Sequence, residues 1–359
     1  MEQINLTYSK AGVDINQTDS IKSEMTDFIN TDNPRVLNGL GPFASLYDIK
    51  FDDIKNPVLV LKAEEPGSKQ KLAVEYGYIE SICRDMINHL VNDIIVMGAA
   101  PLAVLDTIVC GNAEKETIKT LIRGMSEACK ANECALVGGE TSVQPNVVEK
   151  GIYILTSSIA GIVEKDEIID GSEIRESDVI LAVASNGLHT NGYSLVRLLM
   201  EEMPDIKNEE INGESFIEAI MKPHTPYYKS VKDLISDKTD KTDKNKNKKI
   251  KGMAHITGGG IEGNLNRIIP DGLCADIDLS KIEVLPLFKY LKNKGSIADA
   301  EMLKTFNCGV GLIVVVSESV SGFVINHISQ YYKCYEIGKI IADNIKNEKI
   351  KFYNRLNFH

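Results

Sequence analysis

Six consecutive apolar residues, Val179-Ile180-Leu181-Ala182-Val183-Ala184, stop abruptly at Ser185-Asn186-Gly187. A run this short, rich in branched side chains and closed by small polar residues, reads as a buried strand. The next stretch, Leu188-His189-Thr190-Asn191-Gly192-Tyr193-Ser194, leads into a helical pattern whose apolar side is Leu195, Val196, Leu198, Leu199 and Met200. Thr190 or Asn191 stands where a side-chain oxygen can cap the first free amides of that helix. A helix start presents unpaired N–H groups, and Gly187 and Gly192 would let a phosphate approach the backbone, so the loop is a candidate anion site. Strand-loop-helix units are commoner as plain architecture than as binding sites, so other stretches have to decide.

At 359 residues, 43% of them hydrophobic, the chain has material for two domains with buried cores. Its net charge of −11 excludes a nucleic-acid-binding surface of the usual basic kind. The apolar runs fall far short of the roughly 20 residues that a membrane-spanning helix needs. Met1-Glu2-Gln3-Ile4-Asn5-Leu6 carries neither a basic stretch nor a signal-like apolar core, and the expected location is the cytoplasm. Seven scattered cysteines without a CxxC pair fit reduced thiols better than disulfides or a zinc site.

Along the chain, residues 1–50 read as a polar arm and cover, with Gly39 and Gly41 in Asn38-Gly39-Leu40-Gly41-Pro42-Phe43. Pro57 to Leu61 reads as a strand, followed by a turn at Pro66-Gly67-Ser68-Lys69 that lacks the GxxxxGK[ST] spacing of a Walker loop. A helical pattern runs from about Val74 to Met97, and Asp85, Asn88, His89, Asn92 and Asp93 fall along one stripe of it. That stripe is either a solvated face or a place for metal or phosphate chemistry, with Asp93 the leading carboxylate. Asp106 in the strand from Pro101, and Glu140 after Gly138-Gly139, read like Asp93 as acids at element ends, where oxygen-rich sites hold Mg²⁺ with nucleotide phosphates. Residues 238–249 hold six lysines, two aspartates and no apolar side chain, which predicts a disordered surface insert. Then Met253-Ala254-His255-Ile256-Thr257 ends in Gly258, Gly259 and Gly260 before a helix, a second candidate phosphate cradle.

Six stretches together, Ala11 to Ile15, Val91 to Asp93, Leu136 to Thr141, Ser185 to Arg197, His255 to Gly260 and Glu301 to Gly311, resemble the phosphoribosylformylglycinamidine cyclo-ligase (aminoimidazole ribonucleotide synthetase) family, in order and spacing. The resemblance implies an α+β fold of two domains per subunit. The N-terminal sheets of two subunits would close an interfacial barrel in a homodimer, and the C-terminal domain would be mixed α/β. Domain boundaries are expected at 1–50 (arm), 51–169 (dimerisation and ATP binding), 170–345 (C-terminal domain) and 346–359 (tail). The implied reaction uses ATP and Mg²⁺ to close formylglycinamidine ribonucleotide to aminoimidazole ribonucleotide through a phosphorylated amide. Carried over by position, Asp93, His189, Asn191 and Lys69 would be catalytic. Gly39, Gly41, Lys69, Asn92, Asp106, Gly138, Gly139 and Gly258 to Gly260 would bind the cofactor, and Asp93, Glu140 and Glu64 the metal.

The chain departs from the family pattern in places. Where the family has GTDGVGTK this chain has Lys62-Ala63-Glu64-Glu65-Pro66-Gly67-Ser68-Lys69, so Glu64 replaces an aspartate and two glycines are lost. Val143 replaces a second acid, and His89 stands where a small or apolar residue is usual. Two alternatives follow: another enzyme of the same ATP-dependent superfamily with a different substrate, or a non-catalytic nucleotide-binding paralogue.

Overall fold

The computed structural model describes residues 29, 32–39, 43–235, 249–343 and 348–358. The Ala11 to Ile15 stretch, Gly41 and all but the last residue of the lysine-rich insert lie outside the described residues. The chain divides into two compact units: Met1–Val91 with Pro101–Ile162, and Asn92–Ala100 with Val163–His359.

In the first unit β1 (Pro57–Glu64), β2 (Ala100–Cys110), β3 (Ala135–Val143) and β4 (Tyr153–Glu164) form a sheet in the order β1-β4-β2-β3. The helical stretch expected from 74 to 97 is two helices, α1 (Lys69–Glu75) and α2 (Ile79–Ile95), separated at Gly77, whose φ of 76° suits glycine. With α3 (Lys115–Ala131), α2 supplies the apolar cover of one sheet face. Val104 and Ile108 of β2 and Leu155 and Ile159 of β4 are buried, as are Met86, Leu90, Leu121 and Met125 of the helices. The alternate positions Leu59, Leu61, Leu105 and Ile154 are 54%, 71%, 48% and 40% exposed, so the unit leaves an apolar sheet face uncovered.

The second unit holds six strands in the order β12-β9-β11-β5-β10-β8. They are β5 (Val179–Ala184), β8 (Gly252–His255), β9 (Leu273–Asp278), β10 (Val310–Val316), β11 (Cys334–Ala342) and β12 (Ile350–Tyr353); the short pair β6 (Glu210–Ile211) and β7 (Glu214–Ser215) stands apart. The apolar run that opened the reading is the antiparallel centre of this sheet, with Leu181 opposite Val314 on one side and Glu336 on the other. Every residue of β10 is buried, which accounts for its unbroken Leu-Ile-Val sequence. The sequence reading leaves residues beyond 345 as a tail, but Ile350 and Phe352 pair in parallel with Ala275 and Ile277, and Leu356 and Phe358 are buried. The apolar alternation of Ile350 and Phe352 is the signal for that edge strand.

The helix after β5, α4 (Tyr193–Glu202), corrects another expectation. Its N-cap is Gly192, left-handed at φ 78°, and neither Thr190 nor Asn191 caps it. A β-carbon at Gly192 would stand 2.1 Å from the Phe306 ring, so packing fixes the residue. The buried side of α4 is Tyr193, Val196 and Leu199, while Leu198 is exposed. All seven cysteines are buried free thiols, and among the described residues no helix is long and apolar enough to cross a membrane.

Candidate active site

In the second unit, the loop between β5 and α4 is set by hydrogen bonds to the turn before β10. Ser185 N–H donates to the Gly309 carbonyl at 2.9 Å, Ser185 Oγ donates to Asn307 Oδ1 at 2.9 Å, and Asn307 Nδ2 donates to the Gly187 carbonyl at 2.9 Å. The loop carries His189 fully buried at a positive φ of 61°, a backbone state that a non-glycine residue keeps only when its surroundings impose it. Gly311 makes the room: a β-carbon there would lie 2.7 Å from His189 Cε1 and 1.9 Å from the Tyr227 hydroxyl.

Four polar side chains are linked around that loop. Asp93 Oδ1 accepts from His255 Nδ1 at 2.7 Å, and His255 Nε2 lies 2.8 Å from His224 Nε2. The His224 ring in turn stacks on His189, with centroids 3.9 Å apart and planes at 26°. His189 Nε2 accepts from the Thr225 backbone N–H and is 3.1 Å from its hydroxyl. Asn92 fixes the segment that carries His224: its Nδ2 donates to the Thr225 carbonyl at 2.9 Å, and its Oδ1 accepts from the Tyr227 N–H at 3.0 Å. Asn92 is therefore wholly engaged in holding backbone.

The two candidate phosphate cradles meet here. A β-carbon on Gly258 would lie 3.4 Å from Asn191 Oδ1. Asn191 Nδ2 is buried and has no hydrogen-bond partner among the described residues, a donor set out for an acceptor oxygen. Gly260 has a different reason: a β-carbon would stand 1.8 Å from the Leu303 carbonyl, so this glycine serves packing. Asn264 holds the turn by donating to the Gly258 and Gly260 carbonyls at 3.2 and 2.8 Å.

In the first unit, Asp106 and Glu140 lie inside strands, because β2 and β3 continue to Cys110 and Val143. Asp106 pairs in register with Gly139, and Thr107 with Glu140. Gly139 is required by this neighbour, since a β-carbon there would lie 2.2 Å from both the Asp106 carbonyl oxygen and its Oδ1. Burial, reinforced by the Glu140 charge, pushes the Asp106 carboxyl up to about 7. Asp106 lies on the buried face of β2 with Val104 and Ile108, whereas Glu140, in register with Thr107, is exposed.

The stripe on α2 is buried rather than solvated, and its groups face protein partners. Lys69 Nζ lies 2.6 Å from Asp85 Oδ2 with both side chains wholly buried, and burial lowers the lysine's pKa. To reach a phosphate, Lys69 would have to leave that pair. Asn88 Oδ1 accepts from Asn132 Nδ2 at 2.8 Å. Glu64 lies 2.9 Å from Lys62 and 3.8 Å from His89, which gives His89 an acidic neighbour. Gly39 follows Asn38, which donates to the Ala44 carbonyl at 2.8 Å and accepts from Leu46 N–H at 2.7 Å.

Sequence reasoning singled out His189, Asn191 and Asp93 but missed His224 and Thr225, and it gave His255 no role. The stretch Lys222-Pro223-His224-Thr225-Pro226-Tyr227 carries neither periodicity nor a motif. One local signal was present: a histidine between two prolines beside an apolar helix start.

Comparison with known proteins agrees with this architecture. Residues 56–163 match the AIR synthase related protein N-terminal domain, and residues 175–351 its C-terminal domain. The chain is 39% identical over 345 residues to phosphoribosylformylglycinamidine cyclo-ligase of Methylobacillus flagellatus, covering 95% of this chain and 96% of that one. It is 40% identical over 313 residues to the cyclo-ligase of Burkholderia cenocepacia, covering 87% and 86%. Among solved structures, E. coli HypE matches with a TM-score of 0.66 at 14% identity over 95% of this chain and 97% of that one. Thiamine-monophosphate kinase of Stenotrophomonas maltophilia matches at 0.64 and 15% over 94% and 96%. At such identities those two show the fold alone. With both domains matched and about 40% identity along most of its length, the chain belongs to the phosphoribosylformylglycinamidine cyclo-ligase family of AIR synthase related proteins.

Proposed function

We propose that the protein closes the imidazole ring of aminoimidazole ribonucleotide from formylglycinamidine ribonucleotide, with ATP converted to ADP and phosphate, in purine biosynthesis. The chemistry asks for two things. The formyl amide oxygen is a poor leaving group and becomes a good one once phosphorylated; the amidine nitrogen then attacks the same carbon and phosphate departs. Phosphoryl transfer depends on positioning and charge neutralisation more than on covalent help from the protein.

The observation that carries this reading is the buried Asn191 Nδ2, without a hydrogen-bond partner among the described residues, on a side chain whose Oδ1 faces Gly258, in one unit with the Asp93–His255–His224–His189 chain. Asn191 supplies a donor to a substrate oxygen, and His189, whose Nε2 accepts from Thr225, is held in one orientation beside it. Asp93, Glu140 and Glu64 are the carboxylates proposed for Mg²⁺, which when bound would neutralise phosphate charge. Asp93 fits that role because His255 holds one of its oxygens and the side chain keeps 19% exposure. Gly39, Gly41, Gly138, Gly258 and Gly259 are proposed for the nucleotide side together with Asp106, whereas Gly139 and Gly260 serve packing. Lys69 is proposed to act there only on release from Asp85. The uncovered face with Leu59, Leu61, Leu105 and Ile154 is proposed to meet its copy in a homodimer, closing the interfacial barrel, and the enzyme to work in the cytoplasm.

Asp93→Asn tests the assignment, since it removes one charge at constant volume and leaves a group that His255 can still contact. Mg²⁺-dependent turnover should be lost with the melting temperature unchanged; turnover at the wild-type level would remove Asp93 from the site.

A further inference from the structure

The histidine that joins the site's two halves, His224, lies outside every stretch that carries the family resemblance. It is fully buried between His255, which holds an oxygen of the proposed cation ligand Asp93, and His189, proposed to work on substrate. On one side its Nε2 is 2.8 Å from His255 Nε2; on the other its ring covers His189 at 3.9 Å. A carboxylate only accepts, so the His255 Nδ1 that faces Asp93 carries a proton. In neutral His255 the Nε2 lone pair then faces His224, whose own Nε2 supplies the hydrogen. Asp93 thus sets the tautomer of His255, and His224, bonded to the other ring nitrogen, fixes the ring plane and through it one oxygen of Asp93.

We propose that His224 is a positioning residue that sets Asp93 and His189 as one assembly, by its hydrogen bond to His255 and its stack on His189. Each end has an independent anchor that makes the bridge rigid. Asn92 pins the backbone on either side of Pro226, and Thr225, next to His224, donates its N–H to His189 Nε2. Without His224, the His255 ring could rotate about its bond to Asp93, and His189, held at a positive φ, would lose the surface that covers its ring. Partners that orient a ligating or reacting group in this way typically change activity or metal affinity by about 10–100-fold when removed.

The kinetic part of this inference rests on the proposed cyclo-ligase reading; the spectroscopic part does not. Three variants separate the contacts: His224→Phe keeps a ring over His189 and loses the bond to His255, His224→Gln keeps a hydrogen-bonding group and loses the ring, and His224→Ala loses both. Long-range ¹H–¹⁵N spectra of histidine-labelled resting protein should show the His255 Nε2 nitrogen shifted by an accepted hydrogen bond in wild type and in the Gln variant. The Phe and Ala variants should show that nitrogen without the shift. In turnover assays His224→Ala should lower kcat by about 10–100-fold with KM for ATP unchanged, and His224→Gln should recover part of the loss. An unchanged His255 pattern in the Phe variant overturns the proposal whether or not the wild type closes the ring. So does wild-type kcat in the Ala variant, or equal loss in Ala and Gln accompanied by a lowered melting temperature, which would mark a purely structural role.

Discussion

Replacing Asp106 by Asn should stabilise the cation-free protein, and increasingly so as pH rises. Burial and the Glu140 charge keep the folded carboxyl protonated up to about 7, against 3.8 for a free one. Between those values the unfolded chain has lost a proton that the folded chain retains. Wild-type stability therefore falls as pH climbs through that window and levels off above it. A shift of about three pH units at roughly 1.4 kcal/mol each makes the ceiling on the order of 4 kcal/mol. Asn does not titrate, and its similar volume preserves the fit against Gly139. Urea unfolding of both proteins in chelator-treated buffer, from about pH 4 to about pH 8, gives the difference directly. The variant's advantage should grow with pH and level off above about 7. A difference that stays flat with pH would refute the argument, because it would mean that Asp106 ionises as freely in the fold as in water.

Other parts of the account are open to simple variants. Lys69→Ala should destabilise the protein by about 3–5 kcal/mol, because it strands the buried Asp85 charge, whereas Lys69→Met with Asp85→Leu should restore most of the loss; calorimetric melting reads both, and an unaffected single variant would contradict the pairing. Leu61→Asp should shift the protein from dimer to monomer in sedimentation velocity, since it sets a charge on the uncovered sheet face; a dimer that persists would place the interface elsewhere.

Much of the second unit was legible in the residues themselves. The run Val179 to Ala184 could only be a buried strand, and the polar loop behind it does carry the buried His189 and the buried amide nitrogen of Asn191. Local cues failed where a distant partner decides. Gly192, not Thr190 or Asn191, starts α4 because Phe306 occupies the space of a side chain. Gly139 and Gly260 look alike as phosphate glycines, yet one admits the carbonyl and carboxylate of Asp106 and the other the Leu303 carbonyl. The stripe on α2 was visible, but its meaning was not: Asp85 answers Lys69, and Asn92 answers Thr225 and Tyr227, partners that no spacing rule brings together. His224 was hidden for the same reason, since only the fold brings it between His189 and His255.

The most direct measurement is the stoichiometry of turnover. Phosphate release from ATP and Mg²⁺ is followed together with formation of aminoimidazole ribonucleotide, with and without formylglycinamidine ribonucleotide. The account predicts phosphate release that requires this substrate and equals ring product one for one. ATP binding without stimulated release, or release without ring closure, would contradict it and direct attention to the altered loop from Lys62 to Lys69 and a different substrate.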